Sequence, residues 1–156
     1  MKISDILTLD RIKIGLESTT KQEVIEELIS LLPVTRQDEG VKTDIVEAIL
    51  ARETICSTGI GEGVALPHAK LVLPRDIDLV FGLSHEGIDF TAMDGKPVFI
   101  FFLLISNTDS ANLHLKMLGH ISRMMHEEEH RRMLRQCTSR VEALEFFGKI
   151  ESGENF

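Results

Sequence analysis

Tryptophan and tyrosine are both absent from this chain, so neither side chain can serve here as a stacking platform for sugars or bases. Cysteine is nearly absent. Cys56 and Cys137 match no metal-binding or redox spacing and read as two free thiols of a reducing cytosol. Basic charge is also scarce, with 17 Lys and Arg against 25 Asp and Glu and a net charge of −8. Nucleic acid is therefore not an expected partner, since a phosphate backbone demands a basic face. An acidic chain instead suits a basic protein partner through electrostatic steering. No long apolar run is present either. The longest, Val98 to Ile105, falls far short of the roughly 20 residues of a membrane span. The start, Met1-Lys2-Ile3-Ser4-Asp5, lacks the charged-then-apolar layout of a signal peptide. These absences lead us to expect a cytoplasmic protein with no direct membrane insertion.

The remaining composition is ordinary for a globular protein, 43% apolar and 27% charged. At 156 residues the natural expectation is one domain, residues 1–156, with no linker. Ile12, Ile14 and Leu16 alternate with polar residues as in a short strand. Thr20-Lys21-Gln22-Glu23 is a capping-box pattern, and Val24, Ile25, Leu28, Ile29 and Leu32 follow at helical spacing until Pro33 closes the helix. A second helix is predicted from near Thr43 to Arg52 and Glu53. Strands are predicted at Val64–Leu66, with His68 near its end, and at Asp78–Leu83. Val98–Ile105 is too apolar for a strand with one solvated face and is expected to lie centrally, covered on both sides. Helices follow, one after Asp109-Ser110 and the last behind a Ser139-Arg140-Val141-Glu142 box. The interleaving argues for an α/β fold, a sheet with helices packed on it.

Six histidines are the main chemical resource. His68 closes the run Ser57-Thr58-Gly59-Ile60-Gly61-Glu62-Gly63-Val64-Ala65-Leu66-Pro67. Glycines let backbone approach a ligand closely, and amides around Gly59 and Gly61 could donate to phosphate oxygens. Pro67 restricts the chain just before the imidazole. A neutral imidazole is a good nucleophile toward phosphorus. The plainer alternative is a strand-end histidine above an ordinary turn.

His114 falls within the apolar stripe formed by Leu113, Met117, Leu118, Ile121, Met124 and Met125, in the first turn of its helix. It could donate to a phosphate or orient a second imidazole, or simply be a bonded core histidine. Arg52 could hold phosphate oxygens, or be a solvated charge at a helix C-terminus. Lys70 and Arg75 are weaker candidates for that cation. His120 reads as a boundary residue and His85 as loop. His126-Glu127-Glu128-Glu129-His130 matches the H-E-x-x-H metalloprotease pattern. Against it, Glu128 would fall on the apolar stripe, and three adjacent acids suit the first turn of a new helix.

Arg52-Glu53 together with Ser57 through His68 resembles the active-site signature of the type-2 EIIA domains of the bacterial phosphoenolpyruvate phosphotransferase system. These are the fructose, mannitol and nitrogen-related EIIA proteins. Gly87 through Val98 resembles the family's turn before its central strand, His114 through Leu118 its second-histidine helix, and Met1 to Leu7 the start of free-standing nitrogen-type members. The resemblance implies a mixed sheet flanked by helices on both sides. It implies a phosphohistidine relay with His68 as acceptor, Arg52 and His114 holding the phosphate, and no metal or organic cofactor. The implied partners are an HPr- or NPr-type phosphocarrier and an EIIB domain. A transporter or sensor kinase, read through phosphorylation state, is the regulatory alternative. Three residues depart from the usual pattern: Glu62 in the glycine loop, where a carboxylate beside a phosphoryl group would be costly, Lys70 and Asn107.

Overall fold

The computed structural model describes residues 1–153. Its elements run α1 (Ile3–Ile6), β1 (Ile12–Ile14), α2 (Lys21–Ile29), α3 (Pro33–Gln37), α4 (Glu39–Ile55), β2 (Gly59–Gly61), β3 (Val64–Ala65), β4 (His68–Leu71), β5 (Ile77–Ile88), β6 (Val98–Asn107), α5 (Ala111–His126), α6 (Glu128–Arg135) and α7 (Arg140–Ser152). Among the described residues six strands form one mixed sheet, ordered β1-β5-β6-β3-β2, with β4 also on β6. β5 and β6 pair antiparallel, whereas β1 runs parallel to β5, and β3 and β4 run parallel to β6 in succession along the same side.

β6 is the central strand that its apolar run predicts. Because side chains alternate across a strand, Ile100, Phe102 and Leu104 enter one core, with Met117, Ile121 and Phe147. Phe101, Leu103 and Ile105 enter the other, with Val24, Leu28, Ile45 and Ile49. The sheet is thus covered on both faces, by α5 and α7 on one and α2 and α4 on the other. The N-cap half of both predicted boxes forms, with the Thr20 hydroxyl accepting from the Glu23 N–H and that of Ser139 from the Glu142 N–H; the returning glutamate bonds go instead to the Thr19 N–H and to the Thr138 and Ser139 hydroxyls.

Several boundaries differ from the sequence reading. α2 ends at Ile29, and Pro33 opens α3 rather than closing α2, since a proline N–H is not needed in a first turn. α4 begins before Thr43, at Glu39, because Asp38 caps it by accepting from the Gly40 N–H. β5 continues past Leu83 through a register irregularity to Ile88, which takes His85 into a strand. The expected strand at Val64–Leu66 breaks at Leu66-Pro67, and His68 opens a new one. Proline has no N–H to give to a ladder.

Candidate phosphoryl site

The break at Pro67 governs the histidine behind it. The Leu66 carbonyl accepts a 2.7 Å hydrogen bond from Nδ1 of His68. A carbonyl oxygen can only accept, so Nδ1 carries the proton and Nε2 is left with a bare lone pair. Burial pushes the His68 pKa below its ordinary value. The Leu66 carbonyl and Glu53 oppose that shift, and the Arg52 and Lys70 charges add to it. Near pH 7 the ring is therefore mostly neutral, with its lone pair on Nε2.

His114, in the first turn of α5, packs its ring 5.4 Å from that of His68, centroid to centroid, at a tilt of 55°. The residues are 46 positions apart and meet because β4, which His68 opens, lies beside β6, which leads into α5. Burial is the main cause that lowers the His114 pKa to about 4, and His68 and Lys70 lower it further. Its Nδ1 is bonded to the hydroxyl of Ser106, a fully buried residue of β6.

Arg52 stands in the last turn of α4, with Nη1 donating to the Cys56 carbonyl at 3.1 Å. Arg52, His68 and His114 line one open depression of about 470 Å³. Lys70 also lines it, and so do the exposed apolar side chains of Ile55 and Leu115. Arg75 instead lies near Asp78, at 3.8 Å. The next residue after Arg52, Glu53, is buried. Its carboxylate accepts from the Thr58 N–H at 3.0 Å and the Thr58 hydroxyl, and pairs with Lys21 at 2.7 Å. It thereby ties the end of α4 to the glycine loop and to α2. Sequence reasoning gave no role to Glu53 or to Ser106.

Gly59 and Gly61 do not line the depression. The Gly59 N–H donates to Ser57 Oγ, and a Cβ at Gly59 would lie 2.8 Å from Ala92 Cα. Gly61 adopts φ +96, which glycine tolerates and other residues rarely do. The next amide, that of Glu62, donates to the Asp94 carboxylate at 3.0 Å. The turn thus already holds an anion, supplied by its own chain. The amide-cradle reading of the loop is corrected accordingly: its glycines are needed for close packing and turn geometry.

Glu62 is equally remote. The Gly63 carbonyl accepts from the Phe99 and Ile100 amides, whereas His68 pairs with Leu104. Four to five residues of strand β6 separate the two, roughly 13–17 Å at about 3.3 Å per residue. The Glu62 carboxylate lies 3.7 Å from Arg131 of α6, so it imposes no charge on a phosphoryl group at His68.

The H-E-x-x-H match is broken by geometry. α5 ends at His126, Glu127 is extended, and Glu128 and Glu129 open α6. His130 Nδ1 is bonded to the Met124 carbonyl at 2.8 Å, so the two imidazoles do not share a helical face. His120 is paired with Glu151 at 2.6 Å.

A family model described as "Phosphoenolpyruvate-dependent sugar phosphotransferase system, EIIA 2" matches residues 5–150. The chain belongs to this EIIA family. Similar proteins include the "PTS system fructose-specific EIIABC component" of Bacillus subtilis, 37% identical over 89% of the chain. The chain spans 22% of that longer protein. The "Nitrogen regulatory protein" of Bradyrhizobium diazoefficiens is 33% identical over 86% of the chain and 87% of its own length. Among solved structures, the nitrogen regulatory protein IIA-Ntr of Neisseria meningitidis superposes with a TM-score of 0.85 at 30% identity, covering 93% of this chain and 98% of that one. No helix among the described residues of this EIIA domain is long and apolar enough to cross a membrane.

The depressed pKa of His114 gives the EIIA fold an acid sensitivity. Unfolded, this histidine titrates near 6.5; folded, at about 4. Between those values only the unfolded chain takes the proton. Stability is therefore lost as pH falls from about 6.5 to 4, by about 3 kcal/mol from this group alone. We expect urea midpoints of the parent chain to fall over that window and those of His114→Asn to fall less. Equal slopes would contradict a buried neutral His114.

Proposed function

We propose that this EIIA domain accepts a phosphoryl group on Nε2 of His68 from an HPr- or NPr-type phosphocarrier. The observation that carries this is the Leu66 carbonyl, which fixes the proton on Nδ1 and leaves Nε2 bare in an open depression. In the transfer, the Nε2 lone pair forms a bond to phosphorus as the donor's N–P bond breaks. The electron pair of that bond returns to the donor's imidazole. The His68 ring becomes cationic at that moment, and its Nδ1–H bond to Leu66 strengthens accordingly. Arg52 and the His114 ring line the same depression, and their role in the transfer is to offset charge on the moving oxygens. The exposed side chains of Ile55 and Leu115, which also line the depression, add apolar surface for a partner.

The onward step has two readings. In one, phospho-His68 passes its group to an EIIB domain. The fructose-specific relative, whose printed name joins A, B and C components, favours this. In the other, the phosphorylation state itself is read by a transporter or sensor kinase. Relatives named nitrogen regulatory proteins, matched over most of their own length, favour this. About two negative charges added at an exposed site suffice to make or break an interface. The test is intact mass after incubation with enzyme I, an HPr-type carrier and phosphoenolpyruvate. We expect a gain of one phosphoryl unit; no gain would sink the proposal. Chasing the labelled protein with EIIB domains separates the two onward routes, because only the relay returns the mass to that of the parent.

A further inference from the structure

On β6, the side chains facing α5 form a row: Ile100, Phe102, Leu104 and then Ser106. The first three are apolar and fully buried, and Ser106 is also 0% exposed. It lies in the middle of the sheet, opposite Lys70 of β4 on one side and Ile77 of β5 on the other. Packing alone would favour an apolar side chain here, because burying a hydroxyl is unfavourable unless it is bonded. The Ser106 hydroxyl makes one hydrogen bond among the described residues, to Nδ1 of His114.

A hydroxyl has one proton to place and two lone pairs to offer. If Nδ1 of His114 donated to Ser106, the serine proton would be buried with no acceptor. If Ser106 donates, both groups are satisfied. The second arrangement makes Nδ1 of His114 the bare nitrogen and puts the ring proton on Nε2. His68 carries the opposite assignment, since the Leu66 carbonyl demands the proton on its Nδ1. Two neutral imidazoles lining one depression are thereby made different: one presents a lone pair, the other an N–H.

We infer that Ser106 is a positioning residue, whose buried hydroxyl holds His114 in the Nε2–H form. His114 then serves as a hydrogen-bond donor beside the acceptor and cannot compete with His68 as nucleophile. The link to phosphoryl transfer rests on the function proposed above. The tautomer does not, since it belongs to the unphosphorylated protein.

Long-range proton–nitrogen correlation spectra of the nitrogen-15-labelled full chain near pH 7 read the tautomer directly. We expect His114 of the parent chain to show a protonated Nε2 and a bare Nδ1. In Ser106→Ala we expect the Nδ1–H form of His114 to appear while His68 is unchanged. Phosphoryl acceptance from an HPr-type carrier should fall by roughly tenfold, the scale of one lost orienting hydrogen bond. Ser106→Thr keeps the hydroxyl on a strand-compatible side chain and should restore both readouts. Ser106→Cys, a weaker donor of similar size, gives the same comparison should the alanine variant fail to fold. A parent spectrum with His114 protonated at Nδ1 would overturn the inference, and so would a slower variant whose tautomer had not changed. If the parent chain accepts no phosphoryl group at all, the proposed function fails while the tautomer result stands by itself.

Discussion

His68→Ala is expected to gain no phosphoryl mass under conditions in which the parent chain gains one unit. The effect should be complete, because the variant removes the atom that forms the new bond. No other histidine of the site is equivalently set. His114 is the nearest imidazole, but it is buried and its Nδ1 is engaged by Ser106. The substitution should cost little stability, since His68 is only partly buried and its side-chain hydrogen bond among the described residues is to a carbonyl at the strand break. Circular dichroism and the thermal midpoint of the variant would check that the loss is chemical. An undiminished mass gain would move the acceptor elsewhere, and peptide mapping of the labelled chain would say where.

Arg52→Ala should slow phosphoryl acceptance by about 10²–10³-fold, the scale for losing one preorganised donor to a transferring or tetrahedral centre. Arg52→Lys should recover part of this, keeping charge but not the two-pronged guanidinium geometry. The same alanine variant carries a second readout. Arg52 is one of the charges that lower the His68 pKa, so its removal should raise the His68 titration midpoint followed by NMR. Rapid-quench kinetics with phosphorylated carrier measures the first effect. A rate unchanged within twofold would assign Arg52 to the helix end alone, where its bond to the Cys56 carbonyl already places it.

The elements legible in the sequence are those with local causes. The Thr20 and Ser139 caps, the apolar stripe of α5 and the uninterrupted apolar run of β6 each depend on residues a few positions apart. Two groups of the depression are marked by position: Arg52 at a helix end and His68 behind a proline. His114 was marked by being polar on an apolar face. The same signal could have exposed the two residues that were missed. Glu53 follows Ile45 and Ile49 at four-residue spacing, an acid on the buried side of α4. Ser106 ends an alternating apolar row. In both places a polar side chain in an apolar series marks a specific bond. The glycine loop misled for the opposite reason. Glycine spacing does not say whether free amides face a ligand or a carboxylate from elsewhere in the chain, and Asp94 is 33 residues from Gly61. The irregular course of β5 and the early start of α4 depend on pairing and capping partners that periodicity does not weigh.

The orienting partner of His68 is a main-chain atom, and this has a bearing on how the site can change over generations. Every residue type has a carbonyl, so no replacement at Leu66 can delete the acceptor that aims the nucleophile. Side-chain orienters such as Ser106 can be lost in a single codon change. The Leu66 side chain is held in the core, so its packing and the aim of the imidazole are separate inheritances: the first rests on the side chain, the second on the backbone alone.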